Sequence, residues 1–382
     1  MSSQTVLILG GGIGGVVAAN RLRKRLDRQH RIILVDREPS FALAASFLWV
    51  MTGDRKPQQI SRPLARLERK GIEVIRGQVE RIDPVRREAV VDGRAIQADH
   101  LIVALGAEFA PESIPGLAES GHTFCTLDGA TRLREALDQI RAGRIVVLTA
   151  APAYKCPAAP YEAAMLIDGM LRRRGLRSAV DVVLHSAEPG PMGVAGPDAT
   201  AAVRTMVEQK GIVYRPGHQI ARAETRRVHF TDGDAVDFDL LVYVPPIRPP
   251  KALAGSGLVD ESGWVRVDRH TLETKFPGVY AVGDVTLIPL AMGKPLPRAG
   301  VFAHAQAEVV ARNIAKAVAG QTPSERFDGH GACFIETGSG RAGFGAGDFY
   351  AEPLPQVRMR HPGLLWHAGK VLFEKQVMWQ WL

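Results

Sequence analysis

The stretch "TVLILGGGIGGVVAANRLRKRL", Thr5 to Leu26, followed by "RIILVDRE", Arg31 to Glu38, decides how the chain folds. It reads as a buried strand, a tight glycine turn, a helix and a second strand. Gly10, Gly12 and Gly15 are spaced G-x-G-x-x-G, with Gly14 beside them, and Asp36 ends the second strand. Glycines at those positions permit a sharp turn and let a helix N-terminus approach a pyrophosphate. The acid accepts hydrogen bonds from ribose hydroxyls. The glycine spacing alone is weak evidence. With both strands and the acid it points to a bound dinucleotide, because a ligand-free turn needs no acid there.

Working outward, "DHLIVALGAEF" (Asp99 to Phe109) is an apolar strand ending in a turn at Gly106. "DGATRLREALDQIRAG" (Asp128 to Gly143) has helical spacing, with Asp128 in the N-cap position. A second strand–turn–helix–strand unit follows: "RIVVLT" (Arg144 to Thr149), "APAYKCPAAPYEAA" (Ala151 to Ala164) leading into a helix, and "VDVVLHS" (Val180 to Ser186). Its turn holds no glycine. Cys156 takes the centre, among Pro152, Pro157 and Pro160. Such a backbone cannot wrap a pyrophosphate closely, so the unit is expected to keep its scaffold and lack a nicotinamide site. A thiol at a helix N-terminus is expected to have a lowered pKa. "FPGVYAVGDV" (Phe276 to Val285) is a strand ending in Gly283 and Asp284, and a long helix begins near Arg298. The alternation of strands and helices predicts an α/β architecture with parallel sheets. Two Rossmann-like domains are expected, the second inserted in the first. The segments are 1–110, 111–245 (carrying Cys156), 246–320 and a C-terminal region 321–382.

A chain of 382 residues with 46% hydrophobic content can bury more than one core. The net charge of +8 favours an acidic partner such as anionic lipid. The arginine runs lack interleaved aromatics, which argues against nucleic acid. No metal site is expected, since the histidines are scattered without ligand spacing. Three cysteines, Cys125, Cys156 and Cys333, lie far apart. In a reducing compartment such cysteines are buried, metal-bound or redox-active rather than structural disulfides. The first residues carry no basic and apolar leader, so a cytoplasmic location is expected.

Three stretches resemble one family. "VLILGGGIGGVVAA", "LIVALGAEF" and "TKFPGVYAVGDV" are similar, in order, to the three FAD-binding signatures of the two-dinucleotide flavoprotein disulfide reductases, which share the glutathione-reductase arrangement. Within that pyridine nucleotide-disulfide oxidoreductase superfamily, "YKCPAAPYEAA" and "GACFIETGSGRAG" resemble the cysteine motifs of sulfide:quinone oxidoreductases and of flavocytochrome c sulfide dehydrogenase flavoprotein subunits. The resemblance implies that Gly10, Gly12, Gly14 and Gly15 hold the FAD pyrophosphate and Asp36 its ribose. Gly106, Gly283, Asp284 and Arg298 would hold the rest, Asp284 on the ribityl chain. The helix after Arg298 would aim its positive end at the flavin. It also implies a Cys156–Cys333 pair over the flavin. Hydrosulfide would open this pair to a persulfide and a thiolate, and electrons would pass through FAD to a quinone. Glu162 would relay a proton; its other reading is a surface carboxylate in the first turn of the helix. Cys125 matches a third cysteine that shuttles sulfur or helps hold the flavin, and it reads equally as a buried small residue.

The C-terminal "LLWHAGKVLFEKQVMWQWL" (Leu364 to Leu382) is similar to the ends of the quinone-reducing members. It is too short and too charged to span a bilayer. It reads as an interfacial amphipathic helix with Lys370 and Lys375 toward anionic lipid, on the inner face of the cell membrane. A cap on the first domain or a dimer interface is the other reading, and the oligomeric state stays open. The resemblance sets His367 and Lys370 near the quinone side of the flavin. "FALAASF" (Phe41 to Phe47) lacks the cysteine that attaches FAD in flavocytochrome-type subunits. That lowers the flavocytochrome alternative. The absent second glycine motif lowers an NADH:quinone reductase. An FAD-containing persulfide carrier is the remaining alternative.

Overall fold

The computed structural model describes residues 3–382. The quoted stretch forms β1 (Thr5–Leu9), α1 (Ile13–Arg23) and β2 (Arg31–Asp36). β3 (Glu73–Arg76) and β4 (His100–Val103) join them. Val6, Leu7, Ile8 and Leu9 are wholly buried, as an uninterrupted apolar run must be when a parallel sheet is covered on both faces. α2 (Leu127–Gln139) follows, and its cap corrects the sequence reading. The Thr126 hydroxyl, not Asp128, accepts the Gly129 N–H at 3.0 Å. Asp128 instead sits in the first turn, where a negative charge suits the helix dipole.

The second parallel sheet contains β5 (Gly143–Thr149), β6 (Val180–Ser186), β7 (Val213–Pro216) and β8 (Leu240–Val244), in the order β7-β6-β5-β8. α3 (Ala159–Arg173) links β5 to β6, and α4 (Pro197–Glu208) links β6 to β7. The chain then returns to the first sheet. β9 (Val279–Ala281) pairs with β4, giving the order β9-β4-β1-β2-β3. The second sheet is thus inserted between two strands of the first. α5 (Gly300–Val318) packs on α1.

An antiparallel sheet of β10 (His330–Gly338), β11 (Arg341–Asp348) and β12 (Gln356–Gly363) follows, and α6 (Leu364–Gln380) closes the chain. β10 lies along α3, so the strand carrying Cys333 is held against the helix that begins after Cys156. Glycine permits that approach. A Cβ at Gly338, whose φ is +80°, would meet the Met165 carbonyl oxygen at 3.0 Å.

Candidate functional site

The two glycine-dependent ends of the first sheet fit a dinucleotide. Gly10 has φ +109°, and a Cβ there would lie 2.3 Å from the Ala104 carbonyl oxygen. A Cβ on Gly15 would lie 1.8 Å from the Gly10 carbonyl oxygen, so this residue lets α1 sit against β1. A Cβ on Gly14 would meet Val282, a packing contact. Gly12 faces open space. The N-terminus of α1 has no side-chain cap and no acidic residue in its first turn, so its orphan N–H groups and dipole favour an anion. The Asp36 carboxylate closes the loop, accepting N–H bonds from Gly11 and Glu38.

These differences separate two substitutions. Gly15→Ala is expected to destabilise the protein at the upper end of ~1–3 kcal/mol, because backbone cannot move aside. Gly12→Ala is expected to leave the thermal midpoint unchanged and to cut cofactor retention at least about tenfold, since a methyl group enters the anion's space. Cofactor content after gel filtration, read beside thermal melts, checks both.

At the other end, the Gly283 N–H donates to Gln306 Oε1 at 2.7 Å. Asp284 lies 3.7 Å from Lys155 Nζ, and its carbonyl accepts from Arg298 Nε at 2.9 Å. The Arg298 guanidinium stacks on Trp264 at 3.8 Å. α5 begins two residues later, again without a side-chain cap or an acid in its first turn. Gly106, φ +70°, turns the chain beside Lys155.

Cys156 occupies the left-handed region, φ +58°. The turn therefore keeps a backbone conformation usual for glycine while presenting a thiol, at a cost of about 1–3 kcal/mol. The Cys156 N–H donates to the Arg298 carbonyl at 2.8 Å, tying this turn to the α5 entrance. Cys156 and Cys333 line one cavity of about 310 Å³. Its walls include Pro297, Phe302, Ile335, Phe349 and Met359, and its polar groups include Tyr154, Glu188 and Lys294. Cys125 does not line that cavity. It packs near Tyr243 and Lys155, at the start of α2.

The expected low thiol pKa is overturned. Burial, then Cys333 and Glu162, push the Cys156 thiol well above its ordinary value, and Lys370 only partly opposes this. Cys333 is pushed up to about 12 by burial and Glu162, again against Lys370. Burial raises Cys125 to about 11. The helix terminus supplies a favourable dipole, but desolvation of a thiolate outweighs it.

Glu162 is not a surface carboxylate. It is 3% exposed, and its Oε1 accepts from Lys370 Nζ at 2.9 Å and from the Glu336 N–H at 2.8 Å. The Lys370 ammonium also sits 4.9 Å over the Trp49 ring. Burial alone would lower its pKa; Glu162 and Glu336 more than reverse this and hold it charged. Lys370 therefore points into the protein, correcting the expectation that it faces lipid. The Glu336 carboxylate is 1% exposed, with its pKa raised by burial, and both its oxygens lie 3.0 Å from His367 Nδ1. Glu336 stands in "CFIETG", three residues after Cys333, where no spacing marks it as a site residue. Away from this site, His218 and the exposed Asp232 and Asp234 place ligand atoms within 4.8 Å of one another.

α6 has two unlike faces. Lys370, Glu374, Val377 and Met378 are buried, with Glu374 accepting from Arg55 Nε and the Ser46 hydroxyl, each at 2.8 Å. Leu365 (85% exposed), Leu372 and Trp379 (81%), spaced by seven, form one outward stripe. Trp381 and Leu382 are buried, the former against Phe41 and His304. No helix among the described residues is long and apolar enough to cross a membrane.

Comparison with known proteins agrees with this arrangement. The chain is 28% identical to the sulfide-quinone reductase of Aquifex aeolicus, over 98% of this chain and 90% of that protein. It is 26% identical to the mitochondrial sulfide:quinone oxidoreductase of Mus musculus, over 91% and 79%. The crystal structure of the Aquifex aeolicus sulfide:quinone oxidoreductase superposes with a TM-score of 0.89 at 26% identity, covering 99% of this chain and 91% of that one. The family model for pyridine nucleotide-disulphide oxidoreductases matches residues 4–309, which contain both parallel sheets and the glycine and Asp284 signatures. The chain belongs to the pyridine nucleotide-disulphide oxidoreductase family.

Proposed function

We propose that the protein oxidises sulfide through a Cys156–Cys333 pair and passes the electrons by way of FAD to a membrane quinone. One observation carries this reading: the two cysteines line a single cavity, and both thiols feel Lys370, a buried cation that is held charged. Gly10, Gly12, Gly15 and Asp36 would hold one end of FAD, and Asp284 with the N-terminus of α5 the other. Bound FAD supplies a two-electron acceptor that a quinone can reoxidise.

Because both thiols sit above neutral pH, they are weak nucleophiles in reduced form. Hydrosulfide is then the attacking group and the disulfide the target. The S–S bond breaks, one cysteine becomes a persulfide, and the other leaves as a thiolate facing Lys370. The apolar walls exclude water and suit an uncharged sulfur chain. On the α6 side of β10, Phe344 and Trp366 stack at 4.5 Å and 8°, and Phe334 packs on Phe344 at 5.2 Å with the rings tilted by 53°. They offer a planar quinone an aromatic surface under the exposed stripe of α6.

The test is anaerobic. Sulfide should bleach the flavin of the purified protein, and a soluble quinone should restore it. Absence of bleaching by sulfide, with bleaching by NADH, would make nicotinamide the donor and sink this reading.

The outward stripe is the proposed membrane contact, with the basic surface as its electrostatic complement. Leu365→Gln, Leu372→Gln and Trp379→Gln together are expected to weaken sedimentation with anionic vesicles at least about a hundredfold. The thermal midpoint should not change, because these side chains touch little of the protein. Vesicle binding at the wild-type level would place the membrane contact elsewhere.

A further inference from the structure

The antiparallel hairpin of Arg227–Phe230 and Ala235–Asp237 brings its turn to His218, the residue two after the end of β7. Asp232 and Asp234 stand in that turn, both exposed. His218 is fixed by its backbone N–H, which donates to the carbonyl of Ser186, the last residue of β6, at 2.9 Å. A nitrogen of its ring and an oxygen of each carboxylate lie within 4.8 Å of one another. Two carboxylates this close repel unless a cation balances them. The arginines that start the hairpin are committed elsewhere, Arg226 to Asp239 and Arg227 to Asp237.

A second observation is independent of the acids. His185, on β6, is 5% exposed, and among the described residues its Nε2 has no hydrogen-bond partner. Phe230 stacks on its ring at 4.8 Å and 16°, and its Nδ1 is aimed at His218 Nδ1, 3.2 Å away. Phe230 also meets the His218 ring edge to face at 4.8 Å. Two imidazole nitrogens at that distance share one proton. When His218 donates it, the other nitrogen of His218 is left as a bare acceptor, the form that ligates a metal.

We propose that His218, Asp232 and Asp234 bind a divalent transition-metal ion of the zinc type, which fastens the hairpin to the parallel sheet. One imidazole and two carboxylates are donors that suit zinc. Around a tetrahedral ion they must draw in to about 3.4 Å apart, which exposed aspartates in a turn can do. His185 holds the His218 ring and is a positioning residue. Three protein ligands leave a position for water or a small anion, on the cleft of about 660 Å³ that His185, His218 and Asp234 line together with Arg144 and Arg215. The ion belongs to the second domain and takes no part in the sulfur chemistry.

The FAD-loaded protein, stripped with a chelator, is dialysed against micromolar zinc, and bound zinc and thermal midpoint are measured. A single retained zinc and a higher midpoint are expected. Asp232→Asn with Asp234→Asn should abolish both, while the metal-free midpoint stays unchanged because the two side chains are exposed. His185→Phe keeps a ring to stack on Phe230 but removes the nitrogen. It should weaken zinc binding about tenfold without lowering the metal-free midpoint, which lost packing would not give. The double variant Cys156→Ser, Cys333→Ser tests zinc capture by the thiols and should retain zinc as the wild type does. Wild-type protein that holds no zinc overturns the proposal, as does zinc kept by the aspartate variant and lost from the cysteine variant. None of these readouts uses sulfide, so the result is separate from the redox reading.

Discussion

Cys156→Ser is expected to lose flavin bleaching by sulfide by at least about a thousandfold, the scale on which removal of a covalent nucleophilic group acts. The loss should not come from unfolding. Serine fills nearly the same volume, and Cys156 is fixed through its backbone N–H, which a serine retains. FAD content and thermal midpoint should therefore match the wild type. Cys333→Ser should behave alike, because a disulfide needs both sulfurs. Cys125→Ser should cost much less, since Cys125 does not line the cavity that the other two share. Stopped-flow absorbance under excess sulfide measures all three. A Cys156→Ser protein bleached at the wild-type rate would remove the pair from the reaction. The raised thiol pKa values sharpen this expectation. Acidifying the assay should not rescue any variant, because the attacking species is hydrosulfide and the cysteines enter as an oxidised pair.

The first sheet was legible because its signals are local. The glycines of β1–α1 and the acid that ends β2 act within one strand–turn–helix–strand unit, and the stretch from Gly10 to Asp36 contains them all. Cys156 was legible for the opposite reason: its turn lacks the glycines that its scaffold would need for a nucleotide. The structure adds that Cys156 still takes a glycine-like φ, a fact no spacing reveals. The thiol pKa values were misjudged because the helix dipole is read from sequence, while desolvation belongs to the assembled cavity. Lys370 was misplaced for a related reason. A lysine in an apolar helix looks like a lipid-facing charge until the helix's inner face is known. Its partner Glu162 is 208 residues away, and Glu336 joins them only because β10 runs along α3. Pattern alone identifies the outward stripe of α6 and not the charges beneath it.

Lys370→Met is the substitution expected to do most damage to the folded state. Methionine keeps the length of the side chain but leaves Glu162 and Glu336 buried beside each other without a cation. Breaking a buried pair in this way costs about 3–5 kcal/mol, far more than an exposed ion pair is worth. The thermal midpoint should fall by about 5–10 °C. Burial already raises the Glu336 carboxyl and Lys370 opposes that rise, so without Lys370 its protonation should offset part of the loss, and the fall should be smaller at pH 5 than at pH 8. The double variant Glu162→Gln, Lys370→Met should recover most of the midpoint, because the remaining carboxylate, Glu336, keeps His367. Bleaching by sulfide should not recover. The thiolate formed when the disulfide opens would lose Lys370, and the cations that line the cavity are engaged elsewhere, Arg298 over Trp264 and Lys294 beside Glu188. Melting curves and stopped-flow traces on the two singles and the double complete the cycle. If the double variant melts below both singles, Lys370 and Glu162 are not energetically coupled and the charge balance argued for this site is wrong. If the double regains bleaching with stability, Lys370 serves the fold alone and the thiolate is stabilised by another group. The α6 helix separates these cases further. Its second anchor, Glu374 on Arg55 and Ser46, is untouched by the substitutions. Vesicle binding should therefore persist in every variant of the cycle, showing that the charge beneath the helix acts on the sulfur chemistry and the stripe above it on the membrane.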